Sequence, residues 1–177
     1  MKLKDLLAPL DAVFRQEQIK YAVIGGYAVA VWGEVRATRD IDLLCRAADL
    51  GLLVEALAKT RMRFERRAGD LDDPVSEVVK IDMTSQEGAY VIDVLAGIRG
   101  APAGIVERAR QVALEGLVVP VASPEDTVLL KLLAGSRRDV DDAVGIIRMQ
   151  AGRLDLPLLR DLCPPNLRAT LDSLLCS

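Results

Sequence analysis

Three aspartates of the chain have the types and spacing to bind divalent metal ions. Asp40 and Asp42 lie two residues apart in a segment that alternates polar and apolar side chains, as a strand does. Because strand side chains alternate between the two faces, both carboxylates point to the same side, and their mutual repulsion favours a cation between them. Asp93 is the one acid of an otherwise apolar strand over 91–95, where a buried acid needs a partner.

If these two strands are neighbours in one sheet, three carboxylates converge. Hard oxygen ligands of this kind suit Mg²⁺ or Mn²⁺, with phosphate oxygens and water completing the octahedron. Two such ions about 3.5–4 Å apart can activate an attacking oxygen and stabilise a leaving phosphate. The structural alternatives are ordinary ones: a D-x-D pair in which one acid caps a turn, and a single acid in a salt bridge.

A glycine pair upstream could receive a phosphate. Gly25 and Gly26 follow the short apolar segment 21–24 and precede a short apolar helix over 27–32. Glycines at such a turn let the backbone approach a ligand, and the amides at a helix N-terminus attract anions. A packing turn is the alternative explanation.

Composition excludes several classes of chemistry. The 177 residues contain no histidine, which rules out Ser-His-Asp triads, Cys-His nucleophiles and histidine-ligated zinc. The formal net charge of −3 gives no strong basic footprint for bulk nucleic acid. The three cysteines form no C-x-x-C pair and fit a reducing cytoplasm. We expect no signal peptide, and the longest near-apolar run, 21–33, is too short to span a bilayer.

The elements that must position these residues follow from hydrophobic periodicity and turn signals. The first part of the chain reads as α/β. We predict helices over 2–16, 27–32, 50–59 and 102–110, and strands over 21–24, 40–45, 62–66, 76–83, 89–95, 112–114 and 117–121. The strands 76–83 and 89–95 form a hairpin, and the last two strands form a smaller one.

The character of the sequence changes near residue 122. Ser123 and Pro124 form a helix start, with serine at the cap and proline at the first helical position. Helices are expected over 124–134, 139–150, 155–162 and 166–175. The predicted fold class is therefore α/β (α+β), with a core over 1–122 and a C-terminal helical subdomain over 123–177.

The residues that could do chemistry also carry a family resemblance. The stretches Val23-Ile-Gly-Gly-Tyr-Ala-Val-Ala, Arg36-Ala-Thr-Arg-Asp-Ile-Asp-Leu43 and Val91-Ile-Asp-Val94 resemble the DNA polymerase β-like nucleotidyltransferase superfamily. Within it the chain is most similar to the small AbiEii-type toxins and related minimal nucleotidyltransferases. Pro124-Glu-Asp-x-x-x-x-Lys131 and Arg138-Asp139-x-x-Asp142 resemble helices of those proteins. The resemblance covers roughly residues 20–150 and implies a mixed sheet flanked by helices.

The resemblance also implies roles for individual residues. Asp40 and Asp42 would bind metal, and Asp93 would deprotonate the attacking hydroxyl or share a metal. Gly25 and Gly26 would hold the triphosphate.

A lysine and an acid in the helical part extend this implied site. Lys131 would reach the phosphates, although a solvated helix lysine is an equal alternative. Asp142 would orient Lys131 or Arg138 through an ion pair.

Three points around this assignment stay open. Arg36 and Arg39 flank the D-x-D pair and are candidates for steering phosphate. Asp82 is an alternative third acid, and Asp93 is preferred because it lies on the later strand, as in the family pattern. Many members have serine where this chain has Gly26, so backbone amides would have to replace a hydroxyl.

The function implied by the resemblance is transfer of a nucleoside monophosphate from an NTP to an acceptor hydroxyl, with Mg²⁺ or Mn²⁺ and release of pyrophosphate. The acceptor could be tRNA, a protein or a small molecule such as an antibiotic. The AbiEii resemblance adds a toxin with a cognate antitoxin as a possible context. A binding module that kept the fold and lost activity is the main rival, and a metal-dependent hydrolase is a third interpretation.

Overall fold

The fold is built on one mixed sheet. The computed structural model describes residues 3–35, 38, 40–70, 72–85 and 88–176, and within them seven strands join in the order β3-β4-β5-β2-β1-β7-β6. The strands are β1 (Tyr21–Ile24), β2 (Ile41–Cys45), β3 (Arg63–Ala68), β4 (Val75–Ser85), β5 (Gly88–Ile98), β6 (Arg110–Leu114) and β7 (Leu117–Val121). Both predicted hairpins are present, as β4–β5 and β6–β7. The α/β (α+β) fold class is confirmed.

Eight α-helices accompany this sheet in the described part of the chain. They are α1 (Leu3–Gln16), α2 (Gly25–Trp32), α3 (Leu50–Ala58), α4 (Ile105–Arg108), α5 (Pro124–Ala134), α6 (Arg137–Met149), α7 (Leu156–Leu162) and α8 (Arg168–Leu175). None of the described helices is both long enough and apolar enough to cross a membrane.

The predicted helix over 102–110 is largely wrong. Only α4 is helical, because Gly104 before it has a left-handed φ of 78° and so cannot continue a helix. On the other side, Arg110 already pairs with Val121 as the first residue of β6. Strand pairing with β7 therefore overrides the local helical pattern.

Strands β1, β2 and β5 form the buried centre of the sheet. Ala22, Val23, Ile41, Leu43 and Ile92 are almost fully inaccessible. Strand β2 runs antiparallel to β1 and parallel to β5. A slip of β5 by one residue would turn polar side chains such as Asp93 toward its buried face, so the register is strongly specified.

The C-terminal helices share a core with the sheet domain. Val29 of α2 is buried together with Val128 and Leu129 of α5 and with Ala143 and Ile146 of α6. Helix α2 packs on both α5 and α6. The helical part is thus held against the helix that begins at the glycine pair, while its description as a subdomain starting at 123 stays a prediction.

Two ion pairs with fully buried acids fix α5 to the preceding segment. The Arg108 guanidinium donates to both carboxylate oxygens of Asp126, at 2.7 and 3.1 Å, and Ser123 Oγ donates to the same group. Glu125 accepts from Arg110 at 3.0 Å and from the backbone NH of Asp155 at 2.9 Å. The first turn of α5 is therefore tied to α4, to β6 and to the start of α7.

We expect Asp126→Ala to lower the free energy of unfolding by about 2–3 kcal/mol, because it leaves a partly buried guanidinium and a serine hydroxyl without their acceptor. Asp172→Ala is the matched control: its pair with Arg160 is exposed on both sides, so the loss should stay below about 0.5 kcal/mol. Urea denaturation of both variants measures the difference. Equal losses would contradict the anchoring role of Asp126.

Candidate active site

The structure places Asp42 and Asp93 side by side. They are register partners on the parallel strands β2 and β5, and paired residues on neighbouring strands project to the same face of the sheet. Asp40 precedes β2, is exposed, and lines an open cleft of about 480 Å³ together with Asp93. The adjacency of β2 and β5, on which the sequence prediction depended, is therefore present; a metal-binding role for the three acids stays a prediction.

The surroundings of Asp42 disfavour the ionised form of its carboxyl group. Burial raises its pKa, and the neighbouring charges of Asp93 and Asp40 raise it further, to about 6. The charges of Lys131 and Lys80 act in the opposite direction. An acid that resists ionisation for these reasons is a group that a bound cation would stabilise.

Gly25 allows the turn after β1 to lie directly against Asp42. Its φ is 62°, in the left-handed region. A Cβ atom at this position would collide with Oδ2 of Asp42. A glycine here therefore meets two requirements at once: the backbone conformation and the close approach of the carboxylate.

The amides at the start of α2 lack a side-chain cap, because the N-cap residue is Ile24. Gly26 is the second residue of this helix, and a Cβ atom there would stand 2.6 Å from the Thr38 hydroxyl oxygen. The side chain of Thr38 thus fills the space that a serine at position 26 would need. Position 26 therefore lies beside the Thr38 hydroxyl, which donates to the Asp40 carbonyl oxygen at 3.3 Å.

Lys131 is held by two acids of α6. Its ammonium lies 2.8 Å from Asp139 and 3.1 Å from Asp142. Burial works against ionisation of Asp139, but hydrogen bonds from Lys131 and Ser136 outweigh it and lower the pKa of that carboxyl. Lys131 is mostly buried and its charge acts on Asp42. Lys131 is therefore a mostly buried, ion-paired lysine and not a solvated one, while its role toward phosphate stays a prediction.

Asp93 has an ionic partner that the sequence pattern did not predict. Lys80 on β4 lies opposite Asp93 in the antiparallel register, and its ammonium is 3.0 and 3.2 Å from the two carboxylate oxygens. The alternative third acid, Asp82, is opposite Val91 and lines the same cleft one step farther along β4. Asp93 is the acid adjacent to Asp42; Asp82 is not its register partner. Lys80 was detectable only through the pairing of the hairpin strands.

Arg36 and Arg39 lie outside the described residues. Among the residues that are described, no three acidic or cysteine side chains stand in an arrangement that could hold a metal ion by themselves. Mg²⁺ commonly takes only one or two protein carboxylates and completes its shell with substrate phosphates and water. The Asp42–Asp93 pair fits such a site in chemistry, with Asp40 close by at the cleft.

A comparison with protein-family models shows which family this chain belongs to. Residues 1–173 match the family described as "Nucleotidyltransferase of unknown function (DUF6036)". The chain belongs to this nucleotidyltransferase family. The recognised superfamily is thereby confirmed, while the closer similarity to AbiEii-type toxins stays a prediction. Compared by sequence with curated proteins, the chain has no significant match.

Solved nucleotidyltransferase structures share the fold. An antigenic nucleotidyltransferase-like protein from Paracoccidioides brasiliensis is 20% identical with a TM-score of 0.60, covering 98% of this chain and 92% of its own. The antibiotic-resistance factor ANT(2″)-Ia is 17% identical with a TM-score of 0.60, covering 98% and 94%. The same factor in complex with adenylyl-2″-tobramycin is 18% identical with a TM-score of 0.59, covering 96% of each chain. At these identities the likeness establishes the fold.

We expect Gly25→Ala to destabilise the protein by about 1–3 kcal/mol, because the new methyl group adds a clash with Asp42 to the strain of a left-handed residue. Gly116→Ala is the control: it has a φ of 87° and open space around it, so it isolates the backbone strain. Thermal unfolding should show a larger loss at position 25. An equal loss at both positions would show that the carboxylate does not press on the turn.

The pKa of Asp42 predicts an unusual pH dependence of stability. The folded protein keeps this proton up to about pH 6, whereas an unfolded aspartate loses it near pH 4. The folded state therefore binds more protons in this window, and stability falls as the pH rises through it.

We expect Asp42→Asn to be more stable than the unsubstituted protein by about 1–3 kcal/mol at about pH 8, and no more stable at about pH 4. Urea denaturation without divalent cations at the two pH values measures the difference. A gain of equal size at both values would contradict the raised pKa.

Proposed function

We propose that this protein transfers a nucleoside monophosphate from an NTP to an acceptor hydroxyl and releases pyrophosphate. The observation that carries the proposal is the Asp42–Asp93 pair, held on adjacent parallel strands directly against the Gly25 turn. Such a pair is costly by itself and becomes favourable when a cation and phosphate occupy the site. The family to which the chain belongs is one of nucleotidyltransferases.

The triphosphate would bind at the start of α2. The backbone amides at the start of α2, beginning at Gly25 and Gly26, have no side-chain cap and can donate to phosphate oxygens. The Thr38 hydroxyl beside Gly26 donates to the Asp40 carbonyl oxygen at 3.3 Å, and it would become a further donor to phosphate by turning away from that carbonyl. Lys131, held in place by Asp139 and Asp142, supplies positive charge from the helical part. Arg36 and Arg39 remain candidates for steering phosphate from the flanks of the D-x-D pair.

Asp42 and Asp93, with Asp40 nearby, would hold Mg²⁺ or Mn²⁺, which neutralises charge on the phosphates when it is bound. In the transfer, the acceptor oxygen forms a bond to the α-phosphorus and the bond to the bridging oxygen of the β-phosphate breaks. Pyrophosphate leaves with that electron pair. Asp93 lines the open cleft, which supports it as the acid that would receive the acceptor's proton. Positioning and charge neutralisation supply most of the catalysis.

The charge of the residues that line the cleft favours one chemical class of acceptor over others. Its lining contains four acids, Asp40, Glu65, Asp82 and Asp93, and two cationic residues, Arg63 and Lys80. A polyanion such as tRNA is disfavoured beside this lining, so we propose a neutral or cationic small molecule with a free hydroxyl. The similarly folded ANT(2″)-Ia in complex with adenylyl-2″-tobramycin is compatible with such an acceptor. A tRNA or protein acceptor and a cognate antitoxin stay predictions from the resemblance.

We expect Mn²⁺ together with an NTP to raise the melting temperature, because a ligand that binds only the folded state stabilises it. Asp42→Asn and Asp93→Asn should lose this shift, and Asp82→Asn should keep it. The same series is then assayed for transfer of label from α-³²P NTPs to a panel of aminoglycosides and other hydroxyl compounds, with total tRNA as a further acceptor. Losses of at least about a hundredfold are expected for the first two variants.

Asp82→Asn is the matched control because it removes an acid from the same cleft. Loss of transfer in Asp82→Asn with retention in Asp93→Asn would assign the third acid to β4 instead. If the unsubstituted protein shows neither a shift with any NTP nor transfer to any acceptor, the inactive binding module is the better description. Release of inorganic phosphate in place of pyrophosphate would favour the hydrolase.

A further inference from the structure

A row of charged residues crosses the sheet through the site. Glu65 on β3 is the register partner of Lys80, Lys80 is the partner of Asp93, and Asp93 is the partner of Asp42. Side chains directly opposite each other in a sheet lie on one face, with Cβ atoms about 4.5–5.5 Å apart. Lys80 thus has a carboxylate residue beside it on each neighbouring strand.

In the structure, Lys80 engages Asp93. Both carboxylate oxygens of Asp93 are within 3.2 Å of the ammonium. The Lys80 side chain is 38% exposed, so the pair lies at the cleft and not in the core. Glu65 is instead paired with Arg67, through two hydrogen bonds of 2.9 and 3.1 Å between largely exposed side chains.

This ion pair conflicts with the use of Asp93 in the proposed reaction. A carboxylate whose two oxygens both contact an ammonium is poorly placed to share a divalent cation or to take a proton. A cation bound between Asp42 and Asp93 would also repel the nearby positive charge of Lys80. Glu65 has spare acceptor capacity, since an ionised carboxylate offers about four lone-pair sites and Arg67 uses two.

We propose that Lys80 is a resident counter-ion that neutralises Asp93 when no divalent cation is bound and moves to Glu65 when one binds. Lys80 is then a positioning residue that competes with the metal for Asp93 and screens the acid pair in the metal-free protein. The inference rests on the proposed function only in that Asp93 shares a metal.

The test measures Mn²⁺ affinity of the full chain without nucleotide, by the electron paramagnetic resonance signal of free Mn²⁺. Lys80→Met should bind Mn²⁺ about three- to tenfold more tightly than the unsubstituted protein, since the competing charge-assisted pair is gone. Arg63→Gln is the matched control: it removes a cation that lines the same cleft but has no hydrogen bond to Asp93 in the described contacts, so its effect should be clearly smaller. Lys80→Arg keeps the charge and should bind Mn²⁺ no more tightly than the unsubstituted protein.

A double-mutant cycle tests the second partner. Glu65→Gln should weaken Mn²⁺ binding when Lys80 is present, because Lys80 loses its alternative acceptor. In the Lys80→Met background the same change should have little effect, since Glu65 acts only through Lys80. Equal effects of Glu65→Gln in both backgrounds would overturn the transfer to Glu65.

Two further results would overturn the proposal in distinguishable ways. Unchanged or weaker Mn²⁺ binding by Lys80→Met, with normal binding by the unsubstituted protein, means that Lys80 merely holds Asp93 in place; the proposed function survives. If neither Lys80→Met nor the unsubstituted protein binds Mn²⁺, the proposed function loses its metal. The proposed competition between Lys80 and the metal then fails as well. Thermal unfolding of each variant confirms that the comparison is made on folded protein.

Discussion

The repulsion between two partly buried carboxylates on adjacent parallel strands is the interaction on which the rest of the site depends. Asp42 and Asp93 cannot separate, because the pairing of β2 with β5 fixes them side by side. The protein offsets their charge with one lysine from each flank: Lys80 contacts Asp93, and Lys131 acts on Asp42 from the helical part. Even so, burial and the neighbouring acids keep the pKa of Asp42 raised, so added positive charge would stabilise its ionised form.

The scaffold explains why distant segments matter to this pair. Gly25 brings the N-terminus of α2 against Asp42, so the proposed phosphate-binding amides and the acids lie at one corner of the sheet. Helices α5 and α6 pack on α2 and carry Lys131 with its two acidic partners. The buried pairs of Asp126 and Glu125 anchor the start of α5. Loss of these ion pairs would therefore affect the site by shifting α5 and with it Lys131.

The features that could be predicted from the sequence are those set by interactions between residues close together in the chain. The D-x-D pair and the turn at Gly25 are local patterns, and the short-range signals located them. The adjacency of Asp93 needed the strand order, which the family resemblance supplied. The contact of Lys80 with Asp93 depends on the register of the β4–β5 hairpin. A strand pattern alone does not fix that register to better than one or two residues. The approach of Thr38 to Gly26 depends on the path of a loop, and no periodicity encodes that.

The same distinction accounts for the wrong helix over 102–110. Its residues have a helical pattern, yet the pairing of Arg110 with Val121 and the left-handed Gly104 leave only α4. Pairing between strands outweighs a weak local preference here, because each ladder hydrogen bond satisfies backbone groups that a frayed helix end leaves open.

The most direct test of the central claim is anomalous diffraction from crystals that contain Mn²⁺ and a non-hydrolysable NTP analogue. We expect an Mn²⁺ peak within about 2.0–2.3 Å of carboxylate oxygens of both Asp42 and Asp93, with the triphosphate at the first turn of α2. A peak that contacts neither carboxylate, or a triphosphate bound away from Gly25, would contradict it.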